Sequence, residues 1–163
     1  MTNKVTGIQD ISLDVIRKKR FRIDGDDNRI LELNTSDLNI LARLKEAYPR
    51  LVNLADNAFK DLPKMEDTTE QTDFINSAET TELIESLKKA DSEMRDLMDY
   101  IFDSNVSEIC APSGSMYDPI SGQFRFEYII NVLAGLYETD IESELTSIAK
   151  RVQKHTNKYS KRK

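Results

Sequence analysis

Hydrophobic and polar positions alternate most regularly between residues 20 and 33. Phe21 and Ile23 are interleaved with Arg20 and Arg22, and Leu31 and Leu33 flank Glu32, on either side of Asp24-Gly-Asp-Asp-Asn28. A period of two on both sides of an Asp/Gly/Asn turn predicts a β-hairpin. Its apolar face is Phe21, Ile23, Leu31 and Leu33, with Arg22 and Glu32 expected to pair on the other. Two strands alone are marginal in water, so the hairpin must rest on a helix or extend a partner's sheet.

After Leu33 the period lengthens to that of a helix. Asn34-Thr-Ser-Asp37 places a capping side chain three residues before a carboxylate, which predicts a helix start at Asn34. The expected seam is Leu41, Leu44, Tyr48, Leu51, Ala55, Ala58 and Leu62, kinked or broken at Pro49 and ended at Pro63. Residues 64–71 form a polar linker. A longer helix then spans 72–102, with Leu83, Leu87, Ala90, Met94, Leu97 and Ile101 as its seam. At roughly 46 Å it would bend, break near Ser77–Thr81, or project toward a partner. Asp103, Ser104 and Asn105 stop it and cap a short helix carrying Val106, Ile109 and Cys110. Residues 111–123 hold Pro112, Gly114, Pro119 and Gly122 and read as a loop. The last helical stretch starts near Phe124, with Phe126, Ile129, Ile130, Leu133 and Leu136 on one side. It either continues through Ile141, Leu145, Ile148 and Val152 or restarts at Thr139-Asp140. The expected fold is mainly α: one helical domain over 20–153 with its N-terminal hairpin at 20–33. A flexible segment, 1–19, precedes it and a basic tail, 154–163, follows.

Composition sharpens this picture. A chain of 163 residues suits one domain, and 39% hydrophobic residues with no Trp make a lean core. A helical protein with a lean core tends to complete its burial against a partner. No apolar run approaches a membrane span, the N-terminus lacks the apolar stretch of a signal peptide, and the single Cys110 has no internal disulfide partner. These features point to a cytoplasmic protein with no membrane contact. Of 23 basic residues, seven lie from Lys150 onward with no acidic one among them, leaving 16 against 29 elsewhere, a net of −13. An acidic body repels phosphates, which disfavours nucleic acid as the main partner.

Candidate chemistry is sparse. A calcium loop starting at Asp24 needs Gly at its sixth position and Glu at its twelfth, where this chain has Arg29 and Thr35. His155 is the only histidine and stands in the basic tail, a poor start for a metal site or a catalytic base. Cys110 lies between Ile109 and Ala111, the setting of a packed thiol. Ser113-Gly-Ser115 lacks the glycine spacing of a nucleophile elbow. Glu82, Glu85, Asp91 and Glu93 fall between seam positions and read as a solvated helix face. The chain is therefore expected to be no enzyme and to need no metal or cofactor. What remains is surface: part of a seam can receive another helix, and Phe124-Arg-Phe-Glu-Tyr128 poses the same choice.

Two stretches carry a resemblance. Arg20-Phe-Arg-Ile-Asp-Gly-Asp-Asp-Asn28, running into Leu31-Glu-Leu-Asn-Thr-Ser-Asp37 and Arg43-Leu-Lys-Glu-Ala47, is similar to the start of small proteins encoded among the tail genes of siphophages and prophages of Gram-positive hosts. Ile101-Phe102 with Val106-Ser-Glu-Ile-Cys110, the Pro/Gly loop and residues 124–133 resembles the C-terminal region of the same group, the phage tail assembly chaperones. Members of that group are expected to carry glycine after the position of Phe102, where this chain has Asp103. The resemblance implies a non-enzymatic factor of the host cytoplasm that holds the tape-measure protein and helps tail-tube subunits assemble around it. Leu83, Leu87, Met94, Leu97, Ile101, Phe124 and Phe126 are the expected apolar partner contacts, with Lys158, Lys161, Arg162 and Lys163 as an auxiliary. Self-association is left open. The rival readings are a nucleic-acid-associated or regulatory protein using the basic tail, and a virion subunit whose hairpin joins a neighbour's sheet.

Overall fold

The computed structural model describes residues 11, 18–58, 60 and 78–160, with backbone only at 58, 79 and 155–160. The proposed flexible segment thus lies almost wholly outside the described residues, as do the linker at 64–71, the Ser77 end of the second helix, and Leu62, Pro63, Lys161, Arg162 and Lys163. The described chain is mainly α. Strands β1 (Lys19–Arg22) and β2 (Ile30–Leu33) precede helices α1 (Asn39–Ala58), α2 (Ala78–Phe102) and α3 (Val106–Cys110). Strands β3 (Pro119–Ile120) and β4 (Gln123–Phe124) then lead into α4 (Arg125–Ser160).

The N-terminal hairpin forms as its alternation predicts. Phe21 sits opposite Leu31 and Arg20 opposite Glu32 in an antiparallel pair. That register corrects the expected Arg22–Glu32 pair: Arg20 meets Glu32 at 3.2 Å, while Arg22 reaches Asp27 in the turn at 3.0 Å. The turn takes left-handed backbone at Asp24 and Gly25, and the Asp26 carboxylate accepts the Asn28 N–H at 2.9 Å, so turn chemistry accounts for the acidic cluster. Leu31 and Leu33 are fully buried, with Phe21 and Ile23 packed beside them. Ser104 Oγ donates to the Glu32 carbonyl at 2.8 Å, and Arg29 donates to the carbonyls of Ile109 and Cys110. The hairpin therefore rests on α3 and the end of α2 and needs no second sheet.

Helix α1 begins at Asn39, four residues later than a cap at Asn34 predicts. Residues 34–38 make turns, and the Asp37 carboxylate accepts the Asn39 N–H at 2.9 Å as the working cap. Burial alone would raise the Asp37 pKa, but the Asn39 N–H and the Arg43 guanidinium at 2.9 Å hold it below the ordinary value. The helix runs unbroken through Pro49. Pro49 and Lys45 both face solvent, so water can satisfy the Lys45 carbonyl that loses its helical donor. The buried face is Ile40, Ala47 and Leu51, with Leu44, Leu54 and Ala55 beside them. Leu41 and Tyr48 of the expected seam point outward instead.

Helix α2 lies antiparallel to α1, tied by Arg50–Glu93, Tyr100–Glu46 and the Arg43 donation to the Ile101 carbonyl. Its seam packs inward: Met94, Leu97 and Ile101 are buried, joined by Met98 and Phe102. It ends at Asp103, which adopts φ +48°, the left-handed stop that glycine fills most easily. The short α3 is capped from a distance. Asp99 accepts the Ser107 N–H at 2.7 Å and its hydroxyl at 2.8 Å, whereas the expected cap, Asn105, turns to Glu108.

The expected loop contains a minimal hairpin, β3–β4, turned by Ser121 and Gly122, both at positive φ. Tyr117, Phe124 and Phe126 cluster under it with ring centroids about 6 Å apart. Helix α4 then runs as one element of 36 residues, roughly 54 Å long. It does not restart at Thr139-Asp140. The Thr139 hydroxyl bonds back to the Gly135 carbonyl at 2.9 Å, and Asp140 takes Lys19 at 2.6 Å and the Thr35 hydroxyl. Its first half buries Phe126, Ile129, Leu133 and Tyr137. From Glu142 to Lys154 every side chain is exposed, so the second half projects from the body.

Candidate partner-binding surface

A polar clamp fixes the body on which any surface is displayed. Arg95 on α2 donates to Asp91 at 2.8 Å, Ala111 O at 2.9 Å, Gly114 O at 2.8 Å and Ser107 O at 3.2 Å. Asp91 accepts in turn from Ser115 Oγ and the Met116 N–H. Arg125 extends the grip by donating to Ser113 O and meeting Asp118 at 3.2 Å. Burial alone would raise the Asp91 pKa, but Arg95, Met116 and Ser115 hold the carboxyl below its ordinary value. Asp91 thus departs from the solvated face it was expected to share with Glu82 and Glu85, which do stay exposed, while Glu93 is the partner of Arg50. The signal was missed because its partners lie about 25 residues away in sequence.

The expected partner contacts divide sharply. Met94, Leu97, Ile101 and Phe126 sit in the chain's own core and present no surface. Leu83, Leu87 and Phe124 are half-buried. Lys158 lies on the backbone of α4, and the other three basic residues lie beyond the described chain.

Two helical stripes outside the expected partner contacts are open instead. On α1, Leu41 and Tyr48 are each 62% exposed and Val52 is 40% exposed. At 100° per residue these three fall within about 40° of one another, and roughly 100° round from the buried face. The signal was present in the sequence: α1 carries apolar residues on two faces, and one core cannot cover both. On the projecting half of α4, Leu145, Ile148 and Val152 are 51%, 45% and 56% exposed and continue the line of half-buried Ile141.

A cavity of about 500 Å³ opens between the first hairpin and the base of α4, with Ile23, Ile120, Tyr128 and Val132 on its walls. Its three guanidinium groups are engaged within the fold: Arg22 on Asp27, Arg29 on Asp24, Ile109 O and Cys110 O, and Arg125 on Ser113 O and Asp118. Cys110 also borders it, and burial pushes this thiol up to about 11, which suppresses the nucleophilic thiolate. Among the described residues no three His, Cys, Asp or Glu side chains come together as a metal site, and no helix is long and apolar enough to cross a membrane. Comparison with protein-family models, with curated proteins and with solved structures returned no match.

Proposed function

We propose that this chain is a non-enzymatic tail assembly chaperone of a tailed bacteriophage, acting in the host cytoplasm by covering an apolar helical stripe of the tape-measure protein. The observation that carries the reading is the outward face of α1, where Leu41, Tyr48 and Val52 stand exposed on a helix whose other face is already committed to the core. Among the described residues this face stays open, and a helix laid along it matches its length of about 16 Å. The resemblance in residues 20–47 and 101–133 supplies the identity of that molecule. A tape measure is a long helical chain prone to aggregate until tube subunits surround it, and a shield for its apolar stripe keeps it soluble.

Co-expression with the tape-measure protein of the same gene cluster tests this. The wild-type chain is expected to keep that protein soluble and to co-purify with it. The L41Q/Y48Q/V52Q variant should keep its own melting temperature and lose the partner. Truncation after Asn157 should weaken capture only slightly and in a salt-sensitive way, since exposed charges are screened beyond about 8 Å at physiological ionic strength. Retention of nucleic acid at moderate salt without capture of the tape-measure protein would instead support the rival in which the basic end is the working part.

A further inference from the structure

We infer that the far half of α4 carries a second binding site, a cationic face that takes the phosphate backbone of a nucleic acid. Lys150, Arg151 and Lys154 are exposed there, and Lys158 holds the next position of the same row on the helix. At 100° per residue the four positions fall within about 100° of one another, and Lys150, Lys154 and Lys158 are spaced about 6 Å apart along the axis. No acidic residue follows Glu144 in the chain.

The fold has no use of its own for these charges. None of the four has a carboxylate three or four residues away, and among the described residues no ion pair forms with Lys150, Arg151 or Lys154. Lys150–Lys154 and Lys154–Lys158 are instead like charges four residues apart, an arrangement that works against the helix until an anion relieves it. The helix macrodipole does not account for them either. Its pull on cations fades within the last turn, and Lys150 and Lys154 stand ten and six residues before Ser160.

The length of α4 removes the objection that an acidic body raises against phosphate. Every side chain from Glu142 to Lys154 is exposed, so the helix leaves the body near Ile141 and holds Lys150 about 13 Å beyond it. Body charges at that range are screened at physiological salt, where the Debye length is about 8 Å. Of the nearer acids, Glu142 lies outside this face, and Glu144 lies at its edge, about 9 Å short of Lys150 along the axis.

The chemistry of the face selects phosphate over protein or lipid. Leu145 and Ile148 sit beyond its edge, so it offers no apolar side chain to anchor a protein partner. A lipid surface would take up that apolar side and turn Lys150 and Lys154 away from its headgroups. A phosphodiester strand needs only fixed cations at intervals, and contacts of that kind hold a protein in place without reading sequence.

Fluorescence anisotropy on the full chain, with a labelled DNA duplex and a labelled RNA single strand of about 20 nucleotides each, tests the inference. Both are expected to bind, with log K falling linearly against log salt. K150Q/K154Q should weaken duplex binding at least about tenfold at about 50 mM salt and flatten that slope by about 1.8, the share of two phosphates. For the single strand the slope should flatten by about 1.4. K88Q/K89Q removes the same charge from exposed positions on α2 and should leave both affinities within about twofold. Both variants are expected to keep the wild-type thermal melt. Equal weakening by the two variants, or no binding of either probe at about 50 mM salt, would overturn the inference. So would a preference for phosphatidylserine vesicles over both nucleic acids, or loss of tape-measure capture in K150Q/K154Q with nucleic-acid binding unchanged. The α1 variants read the proposed function separately, so the two can fail independently.

Discussion

Replacing Asp91 with Asn tests whether the polar clamp sets the stability of the body. The side chains of Asp91 and Arg95 are only 20% and 24% exposed, so solvent screens the pair weakly. Asparagine keeps the shape and can still accept the Met116 N–H, but its amide nitrogen cannot accept from Arg95. The loss is one charge-assisted hydrogen bond, and the guanidinium is left with neutral carbonyls alone. Hydrogen bonds to charged groups contribute about 1.5–3 kcal/mol, and abandoning one partner of a partly buried ion pair adds to that, so the expected cost is about 2–3 kcal/mol. For a chain of this size that is a fall of roughly 5–10 °C in melting temperature. The pH dependence has a definite sign. The folded carboxyl has a pKa below its ordinary value of 3.8, so its contribution is complete above the unfolded pKa and fades as pH falls through the folded one. Urea titrations should therefore separate wild type and D91N at pH 7 and bring them together in acid below about pH 4. A difference under about 0.5 kcal/mol at pH 7, or a gap that widens in acid, would refute the clamp as argued.

Leu33→Ala should cost about 2–4 kcal/mol in urea denaturation because Leu33 is fully buried, and Phe21→Ala should cost less because Phe21 keeps part of its ring in solvent. Asp103→Gly should stabilise by about 0.5–1 kcal/mol in the same assay, since φ +48° strains any residue with a Cβ. Cys110 should react with an aromatic disulfide reagent at pH 8 at least about tenfold more slowly in the folded chain than in urea, because its thiol is pushed up to about 11.

The parts legible in the sequence are those whose cause is local. The first hairpin needs only alternation around Asp24-Gly25, and α3 and the α2 seam need only helical spacing. What escaped depends on distance in sequence or on competition between faces. Leu41 and Tyr48 share helical spacing with Leu44 and Leu51, and the pattern alone does not say which of two neighbouring faces meets the core. Asp91 looks like any surface carboxylate until the fold brings Ser115 and Met116 to it. The β3–β4 hairpin is two residues a side, too short for alternation to register, and its Ser121-Gly122 turn reads as ordinary loop. Asn34 looked like the helix cap because its offset to Asp37 fits a capping box, yet Asp37 is itself the side chain that receives the first helical N–H.

The charge asymmetry of the chain acquires a mechanical meaning from the length of α4. Read as a loose end, seven basic residues beside an acidic body would fold back onto it or reach for an acidic partner. Held on a continuous helix as far as Ser160, Lys150 stands nine residues, about 13 Å, beyond Ile141, where the body ends. That distance exceeds the screening length of about 8 Å at physiological salt, so the field of the body neither attracts nor shields the basic end.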